Sequence, residues 1–564
     1  MRDKTGRLVP LKERAETIAA YLEEHHWCND CGRGPLPQQQ NIGNTLECDS
    51  TPFTLAELKE VLKHCKVNKQ PGPDCIAAEL YKWLNNENKR FLLDILKHWW
   101  TDTTVPQDIL LARVVPIYKK GDIDNPSNYR PISLLNAMYK IYVSLVRARV
   151  QKAVEFKVSP TQYGFRPNRS TAHATYLIRR LQDWSEQKNA QFYLALIDWE
   201  KAFDKVQHDK LFASMCRLGF SRHFIDIIKG LYKSPTFYVQ DEYGHSATKI
   251  QNAGIRQGCP LSPYLFLLVM TCIDSDVKHN CSAMVMNARI PGVQFDSVYY
   301  ADDTILFSTQ PSALNELLLH IEECSEHYGL KINRSKCHSI HMYHEAIIHF
   351  RDGTPLNKTH DATYLGNDLN YAVNIAREVS QRIQDTKRTW LRLDSLWKDP
   401  SSNPKWKLLI YDAVIRSKLL YSLETVHLTG TLRKKLDAFH LRGLRKILRM
   451  QTTYVNRQNT NQRVYQTASD IAFPSGNGCV KPFTELLDER RIKLAGHILR
   501  SPNSDPLRQV TYQPDSAEPV EIGKRRIGRP RQQWTFRSNE LIHSKLSHTD
   551  YRIIEGLMYK IITF

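Results

Sequence analysis

The chain has 564 residues, room for several domains, and its 41% hydrophobic and 24% charged residues are typical of a globular protein. Twelve cysteines are too few for a disulfide scaffold of this length. Without a signal peptide or a membrane-length apolar run, the sequence predicts an intracellular protein in a reducing compartment. The net charge of +19 favours a polyanionic partner, with a basic surface kept for solubility as the alternative. Residues 371–564 hold 34 Lys and Arg against 18 Asp and Glu, which places +16 of this charge in the last third.

Residues 1–50 are predicted to form a lead-in with one short helix, from Lys12 to His26, and a loop rich in Gly, Pro and Gln. Within it, Cys28 and Cys31 have the spacing of zinc ligands. A tetrahedral zinc site needs a second pair of ligands, and only scattered cysteines follow, so structural zinc is the weaker interpretation. Further along the chain, helices are predicted over residues 76–84, 88–101, 171–187, 261–273, 312–328, 376–397, 405–424 and 431–449.

Two polar stretches in the first third have the side chains that phosphate groups attract. In residues 111–135, Lys119 and Arg130 flank a turn, and positive side chains on such a flap can fold over a triphosphate. A solvated basic loop is the alternative. In residues 162–171, the side chain of Arg169 is suited to a sugar–phosphate backbone, although the end of this segment fits a helix cap equally well.

Two apolar runs carry carboxylates. Residues 192–197 are predicted to be a buried strand that ends in Asp198, and residues 297–308 to be two short strands with Asp302 and Asp303 at their turn. Carboxylate oxygens are ligands that Mg²⁺ prefers, and two ions roughly 3.5–4 Å apart stabilise the attacking and leaving oxygens of an in-line phosphoryl transfer. A surface turn rich in Asp is the alternative interpretation of the second run.

Taken in order, these segments resemble the core motifs of reverse transcriptases. The first motif is similar to "LIDWEKAFD" at 196–204, the second to "GIRQGCPLSPYLF" at 254–266 and the third to "YYADD" at 299–303. Upstream, "VPIYKKGD" and "NYRPISLL" resemble the fingers motif of the non-LTR (LINE-like) retrotransposons. The resemblance extends from about Phe53 to about Trp534.

The resemblance implies an α+β right-hand polymerase with a mostly helical, basic C-terminal extension. The predicted domains are an N-terminal lead-in, fingers with N-terminal helices, a palm with the catalytic carboxylates, a helical thumb and the extension, at 1–50, 51–190, 191–375, 376–455 and 456–564. The expected reaction is RNA-directed DNA synthesis from a DNA primer or target, an RNA template and dNTPs. The protein is expected in the nucleus and in a cytoplasmic ribonucleoprotein, with no membrane association.

The family also implies a role for individual residues. Asp198, Asp302 and Asp303 are expected to bind two Mg²⁺ ions, with Mn²⁺ as the alternative, and Lys336 to protonate the leaving pyrophosphate. The expected contacts of the incoming nucleotide are Lys119 and Arg130 at its phosphates, Phe203 against its sugar, and Gln257 with Gly258. The expected nucleic-acid contacts are Arg166, Arg169, the primer-gripping hairpin Tyr364, Leu365 and Gly366, and Arg529 and Arg531 in a segment that resembles an AT-hook.

Three other functions remain open. A group II intron maturase and a viral RNA-dependent RNA polymerase share the polymerase motifs, while the fingers sequence and Phe203 favour the LINE-like interpretation. A decayed or domesticated chain that only binds RNA is the third, and the intact carboxylates argue against it. No segment resembles a nicking endonuclease, a zinc knuckle or an RNase H domain, so a truncated element is one interpretation of the chain.

Overall fold

The computed structural model describes residues 1–3, 5–29, 34, 36, 40–520 and 534–545. Its α-helices are α1 Arg14–Tyr21, α2 Leu55–His64, α3 Ala78–Lys82, α4 Asn86–Asp102, α5 Gln107–Leu110, α6 Ala137–Val154, α7 Thr171–Lys188, α8 Ala202–Lys205, α9 His208–Arg217, α10 Arg222–Leu231, α11 Ser262–Asn280, α12 Ala283–Asn287, α13 Pro311–His327, α14 Ile375–Arg392, α15 Asp394–Lys398, α16 Pro404–Ile410, α17 Ser417–Leu420, α18 Gly430–Leu448, α19 Asn461–Ala472, α20 Phe483–Leu499, α21 Pro506–Gln509 and α22 Trp534–Lys545.

The strands are β1 Ala112–Tyr118, β2 Tyr129–Leu134, β3 Phe192–Ile197, β4 Thr236–Asp241, β5 Gly244–His245, β6 Lys249–Ile250, β7 Ser297–Tyr300, β8 Asp303–Ser308, β9 His338–Met342, β10 Asn357–Lys358, β11 Asp361–Tyr364 and β12 Asn367–Asn370. Two π-helical turns cover Leu22–His26 and Tyr411–Arg416, and short 3₁₀ turns cover Leu11–Glu13, Pro126–Asn128, Arg334–Lys336 and Leu423–Thr425.

A five-stranded sheet, which we call the central sheet, has the order β10-β9-β3-β8-β7. β3 lies antiparallel between β8 and β9, with Ala195 opposite Leu306 on one side and Ser339 on the other. Successive side chains of β3 point to opposite faces, so Leu194 packs in one apolar core and Tyr193 in another. A strand with both faces buried accounts for the continuous apolar run in the sequence.

A second sheet, which we call the outer sheet, has the order β2-β1-β4-β5, with β6 also paired to β4. β1 and β2 form an antiparallel hairpin in which Ile117 is opposite Arg130. The base of this hairpin is anchored because β4 pairs with β1 in parallel. The tip of the hairpin, where β1 ends at Tyr118, is exposed.

The two sheets and their helices enclose a large core, and α11 runs through it. Most of the α11 side chains from Ser262 to Val277 are buried, as expected of a helix that is apolar on all sides. A separate apolar core joins α14, α16, α18 and α19, and contains the stacked pair Trp390 and Trp397. Among the described residues, no helix is both long enough and apolar enough to span a bilayer.

The helix predicted over about 405–424 is present from Pro404 to Leu420, and it contains a π-helical turn and ends four residues early. α16 ends at Ile410, a π-helical turn follows, and α17 ends at Leu420. Within the π turn, Tyr411 is held by a hydrogen bond between its hydroxyl and Nδ1 of His440, 3.0 Å away. Ser422 has a positive φ of 56°, a conformation through which a right-handed helix cannot continue.

The described C-terminal residues fold back against α7 and the helices after the central sheet. Asp488 of α20 pairs with Arg433 at 2.6 Å, and Arg491 is buried and donates to the Val426 carbonyl. Trp534 donates its indole N–H to the Glu424 carbonyl at 2.6 Å and contacts Tyr176 edge-on. These basic and aromatic residues therefore hold the fold together.

Candidate active site

The candidate site is built on the hairpin of β7 and β8. Tyr300 pairs with Asp303, which leaves Ala301 and Asp302 as the two residues of the turn. Ala301 has a positive φ of 59°, a conformation that costs an alanine about 1 kcal/mol. The Asp302 and Asp303 side chains are exposed at the end of an otherwise buried hairpin.

Gln162 supports this strained turn. Its side chain is buried, and its Oε1 accepts hydrogen bonds from the backbone N–H groups of Ala301 and Gly164 at 2.9 and 2.8 Å. A Cβ added at Gly164 would lie 2.2 Å from the Ala301 nitrogen, so only glycine fits there. The segment 162–171 was noted in the sequence for its basic side chains, and no signal in it singled out Gln162.

Asp198 follows β3, next to the turn, because Ile197 pairs with Thr304 of β8. The Asp198 carbonyl accepts from the Asn333 N–H at 2.8 Å, which ties the end of β3 to the loop that carries Lys336. Nζ of Lys336 lies 3.1 Å from Oδ2 of Asp198. The structure thus brings together Asp198 and the lysine that the sequence predicts as a proton donor.

The ionisation of Asp302 and Asp303 depends on their surroundings. Burial, followed by the negative charges of Asp302 and Asp198, raises the pKa of Asp303 from 3.8 to about 6. Burial and the charge of Asp198 also raise the pKa of Asp302, while the positive charges of Lys119 and Arg130 lower it. The carboxyl groups are open to solvent on one side and surrounded by protein on the others. Such mutual repulsion is what a bound cation relieves.

The donor set is suited to a hard divalent cation, since all three side chains offer only oxygen. Among the described residues, no group of three His, Cys, Asp or Glu side chains is close enough together to hold a metal ion as placed. The Lys336 ammonium provides the positive charge beside Asp198. A cation that binds Asp198 and Asp302 has to compete with this ion pair.

The basic residues of the β1–β2 hairpin face the carboxylates. Burial lowers the pKa of Lys119, as do the positive charges of Arg130 and Lys336, while Asp198 opposes them. Among the described residues, Asp198 is the only carboxylate that forms an ion pair with Lys119, Arg130 or Lys336. These three positive charges create a field that attracts an anion. The sequence placed Lys119 and Arg130 on such a flap, and the structure brings them to the same site as the aspartates.

Phe203 and Gly258 are two other predicted nucleotide contacts whose surroundings the structure defines. Phe203 is half-buried, stacked on Phe266 at 4.7 Å and edge-on to Phe165 at 5.9 Å. Gly258 has a φ of +125°, and a Cβ there would lie 2.4 Å from the Ser133 carbonyl oxygen of β2. A close approach between this loop and the outer sheet is therefore what requires the glycine.

Arg166 and Arg169 hold the protein together, which differs from the predicted contact with nucleic acid. Arg166 is buried, and its guanidinium donates to the Glu155 carboxylate and to the carbonyls of Ser159 and Gln162. Arg169 pairs with Asp505 of the C-terminal region at 3.0 Å. The side chains of Arg166 and Arg169 are 5% and 17% exposed, so little of either guanidinium is open to a sugar–phosphate backbone.

Tyr364, Leu365 and Gly366 form the turn between β11 and β12. Leu365 and Gly366 both have positive φ, 48° and 73°, as a tight two-residue hairpin requires, and Tyr364 is buried beneath them. The turn borders a cavity of about 400 Å³, which is also lined by Arg382, Asp385, Ser417, Lys418 and Tyr421. Cys31, Arg529 and Arg531 lie outside the described residues.

Comparison with known proteins gives the family. Residues 117–369 match the model of the family described as reverse transcriptase (RNA-dependent DNA polymerase). Residues 117–369 are thus similar to reverse transcriptases. This range spans Lys119, Arg130 and all three carboxylates, so the segments quoted from the sequence are confirmed as those of a reverse transcriptase.

Two curated relatives come from transposable elements. The chain is 28% identical over 290 residues to the transposon TX1 uncharacterized 149 kDa protein of Xenopus laevis, which covers 51% of this chain and 22% of that protein. It is 25% identical to the RNA-directed DNA polymerase from mobile element jockey of Drosophila funebris, over 77% of this chain and 49% of that protein. The chain thus spans a half or less of the length of these relatives.

Among solved structures, telomerase from Candida tropicalis in complex with a fragment of telomeric RNA superposes with a TM-score of 0.36 and 13% identity, over 75% of this chain and 68% of that one. A score this low does not establish a common fold. The reverse transcriptase assignment therefore depends on the family match and the curated relatives.

Proposed function

We propose that this chain is an RNA-directed DNA polymerase that extends a DNA primer on an RNA template with dNTPs. The observation that carries the proposal is the convergence of Asp198, Asp302 and Asp303 at neighbouring strand ends, opposite Lys119 and Arg130. Carboxylates opposite a basic flap suit a nucleoside triphosphate better than they suit an RNA-binding surface, which needs no cluster of negative charge. The described palm, fingers and thumb would then be the central sheet, the outer sheet and the helices after Ile375.

Family membership implies divalent metal ions, and we propose Mg²⁺ held by Asp198 and Asp302 with Asp303 assisting. Two such ions, when bound, would activate the primer 3′-oxygen and neutralise charge on the phosphates. Lys119 and Arg130 would bind the triphosphate, and Arg130 is suited to bidentate contact with phosphate oxygens. Phe203 would exclude a ribose 2′-hydroxyl by its bulk.

Lys336 would act at the end of the reaction. Its ammonium is paired with Asp198, 3.1 Å away. Lys336 would be released from this carboxylate if Asp198 held a cation, and its ammonium would then be able to donate a proton to the leaving pyrophosphate. A positioned acid of this kind typically contributes ~10²–10⁴-fold to the rate.

We further propose that the protein works on its RNA in a ribonucleoprotein of the cytoplasm and nucleus. The positive charge of residues 371–564 supports a nucleic-acid partner. The name of one curated relative, the RNA-directed DNA polymerase from mobile element jockey, supports an RNA template.

Asp302→Asn tests the proposal. This change removes a carboxylate and almost no volume, so we expect primer extension on an RNA template to be abolished while RNA affinity changes less than twofold. Asp94→Asn is the control, because Asp94 is an exposed residue of α4 outside the site. Extension by Asp302→Asn at near wild-type rate with Mg²⁺ would show that the site is assigned wrongly.

A further inference from the structure

Asp204 is a buried carboxylate just outside the predicted catalytic residues. Its side chain is 4% exposed, and no lysine or arginine forms an ion pair with it among the described residues. Both of its oxygens accept from Nε2 of Gln257, at 3.1 and 3.2 Å, and Oδ1 also accepts from the indole N–H of Trp27 at 3.3 Å. A buried carboxylate is costly unless donors converge on it, and here they come from two segments far apart in the chain.

Trp27 ties this carboxylate to the lead-in that precedes the reverse transcriptase domain. It follows the π-helical turn Leu22–His26, is 1% exposed and packs edge-on against Phe237 of the outer sheet at 4.5 Å. Its carbonyl accepts from the N–H groups of Asn252 and Ala253, at 3.1 and 3.0 Å. Trp27 therefore contacts Asp204 with its side chain and, with its backbone, the loop that leads into Gln257.

The segment that carries Gln257 is also joined to the segment that carries Phe203. The Phe203 carbonyl accepts from the Ile255 N–H at 2.8 Å. Gly254 has a φ of +79°, and a Cβ there would lie 2.6 Å from the Asp204 carbonyl oxygen. Nδ1 of His26 lies 3.2 Å from Oδ2 of Asp204, and burial lowers the pKa of this histidine. The lead-in, the Phe203 segment and the Gln257 segment thus form one packed unit.

This packing fixes which way the Gln257 amide faces. A carboxylate accepts hydrogen bonds and cannot donate them, so the amide nitrogen must face Asp204. The carbonyl Oε1, on the other side of the amide carbon, then points away from Asp204. Gln257 accordingly presents an acceptor, and without Asp204 the amide is free to turn over.

We infer that Asp204 and Trp27 are positioning residues that orient the Gln257 amide toward the incoming nucleotide. The inference rests on the proposed function, which places Gln257 at that nucleotide. On this inference, the lead-in supports the nucleotide-binding site through Trp27. Neither Asp204 nor Trp27 touches the nucleotide, so both act through Gln257.

The test measures KM for dNTP and kcat in primer extension by Asp204→Asn and Trp27→Phe. An asparagine amide at 204 turns a donor toward other donors, and phenylalanine at 27 keeps the ring and loses the indole N–H. Each change removes one or two hydrogen bonds, so we expect KM to rise about two- to tenfold and kcat to stay within twofold. In a Gln257→Ala background the Asp204→Asn change should have no further effect on KM.

Asp209→Asn is the matched control, because Asp209 is exposed at the start of α9, five residues from Asp204. Its KM should equal that of the wild type. A lower melting temperature of Asp204→Asn and Trp27→Phe with unchanged KM would overturn the inference and leave a structural role. Additive effects of Asp204→Asn and Gln257→Ala would overturn it as well.

Equilibrium binding of Mg·dTTP to the protein with primer–template separates this inference from the proposed function. One outcome is that the wild type binds the nucleotide without extending primers, and that Asp204→Asn binds the nucleotide more weakly. This outcome would reject the polymerase function and keep the positioning role. If the wild type extends primers and Asp204→Asn binds the nucleotide as tightly as the wild type does, the polymerase function is kept and the positioning role is rejected. A wild-type protein that neither binds the nucleotide nor extends the primer would reject both.

Discussion

The Phe203 ring is held by two other aromatic rings, and this limits which substitutions can test its steric role. It stacks on Phe266 and meets Phe165 edge-on, so the ring is fixed in place and also contributes to the core. Steric selection against a ribose, the role proposed for Phe203, requires a ring that is held rigidly. The family resemblance predicted a role for the Phe203 ring at the sugar of the nucleotide. The two rings that support Phe203 come from other segments, and no local sequence pattern connects those segments to it.

Phe203→Val should admit ribonucleotides. With the ring removed, we expect the ratio of rNTP to dNTP incorporation, measured as kcat/KM for each, to rise by about tenfold or more. Phe203→Tyr keeps the bulk and should keep the wild-type ratio. If the ratio is unchanged in Phe203→Val, the residue only packs in the core.

Asp303→Asn should stabilise the metal-free protein above pH 6. The pKa of Asp303 is about 6 in the folded protein and 3.8 in the unfolded chain, so folding makes its ionisation less favourable. Ionised Asp303 therefore destabilises the fold above pH 6, and this cost disappears as the pH falls through 6 toward 4. Because the side chain is exposed, we expect a gain on the order of 1 kcal/mol at pH 8.

The measurement is the melting temperature in EDTA at pH 8 and at pH 4. The increase should be present at pH 8, absent at pH 4, and smaller with saturating Mg²⁺, which stabilises the wild-type carboxylates. A lower melting temperature of Asp303→Asn at pH 8 would mean that its carboxylate is stabilised by its neighbours.

At this scale the sequence indicated which candidate residues lie together, and it did not indicate what supports them. Asp198, Asp302, Lys119 and Arg130 are in quoted motifs, and the structure brings them together. Arg166, by contrast, was expected at nucleic acid because its charge and loop position suited phosphate. Its partner Glu155 is in another element, and sequence patterns carry no information about such pairs.

Among the elements, α7 and α14 are joined by a buried ion pair. Arg179 donates to both carboxylate oxygens of Glu378, at 2.9 and 2.7 Å, and both side chains are 3% exposed. Arg382 also donates to Glu378, at 2.8 Å, and to Oδ1 of Asn367 beside the Tyr364–Asn367 turn. One carboxylate thus fixes the first helix of the proposed thumb against α7 and the hairpin.

Glu378→Gln should destabilise the protein by on the order of 3 kcal/mol, because it leaves the Arg179 charge buried without a counter-charge. Thermal melting measures this destabilisation. Asp226→Asn is the control, since its partner Arg222 is 88% exposed on the side chain and such pairs contribute little. A similar melting temperature for both variants would show that the thumb is held by apolar packing alone.

Helix prediction succeeded where the apolar pattern was strong. The expected helices over 171–187 and 312–328 agree with α7 and α13 within about one residue at each end. The helix expected over 405–424 contains a π-helical turn at Tyr411–Arg416, whose Tyr411 hydrogen-bonds to His440 of α18. A periodic pattern of apolar residues reveals neither the π-helical turn nor the contact between the helices.

For the whole molecule, the amount of net charge and its distribution along the chain can be taken directly from the sequence. Much of the net charge of +19 lies after residue 370, and the structure pairs some of it, as at Arg433 and Asp488. The run at 524–531 lies outside the described residues and remains a predicted tether for nucleic acid. Its role is therefore tested through affinity.

Replacing the four arginines of this run with alanine should weaken duplex binding and flatten its salt dependence. The slope of log affinity against log salt should become shallower by about 0.7–0.9 for each phosphate that the variant no longer neutralises. Short primer extension at saturating template should persist. The changed residues are Arg525, Arg526, Arg529 and Arg531.

A charge-matched control replaces four basic residues near α2 and α4, namely Lys59, Lys63, Lys66 and Arg90, which are all exposed. This variant should keep the wild-type slope. Equal flattening in both variants would mean that affinity follows total charge alone.

The support of the strained turn by Gln162 has a consequence for the order of folding. Gln162 and Ala301 are 139 residues apart, and the hydrogen bond between Trp27 and Asp204 joins residues 177 apart. Closing such long loops is slow, so local hairpins and helices form first. The β7–β8 hairpin can form as soon as it is synthesised, but its turn takes the catalytic shape only after the segment around Gln162 docks. We therefore expect a folding intermediate with native secondary structure and no affinity for Mg·dNTP.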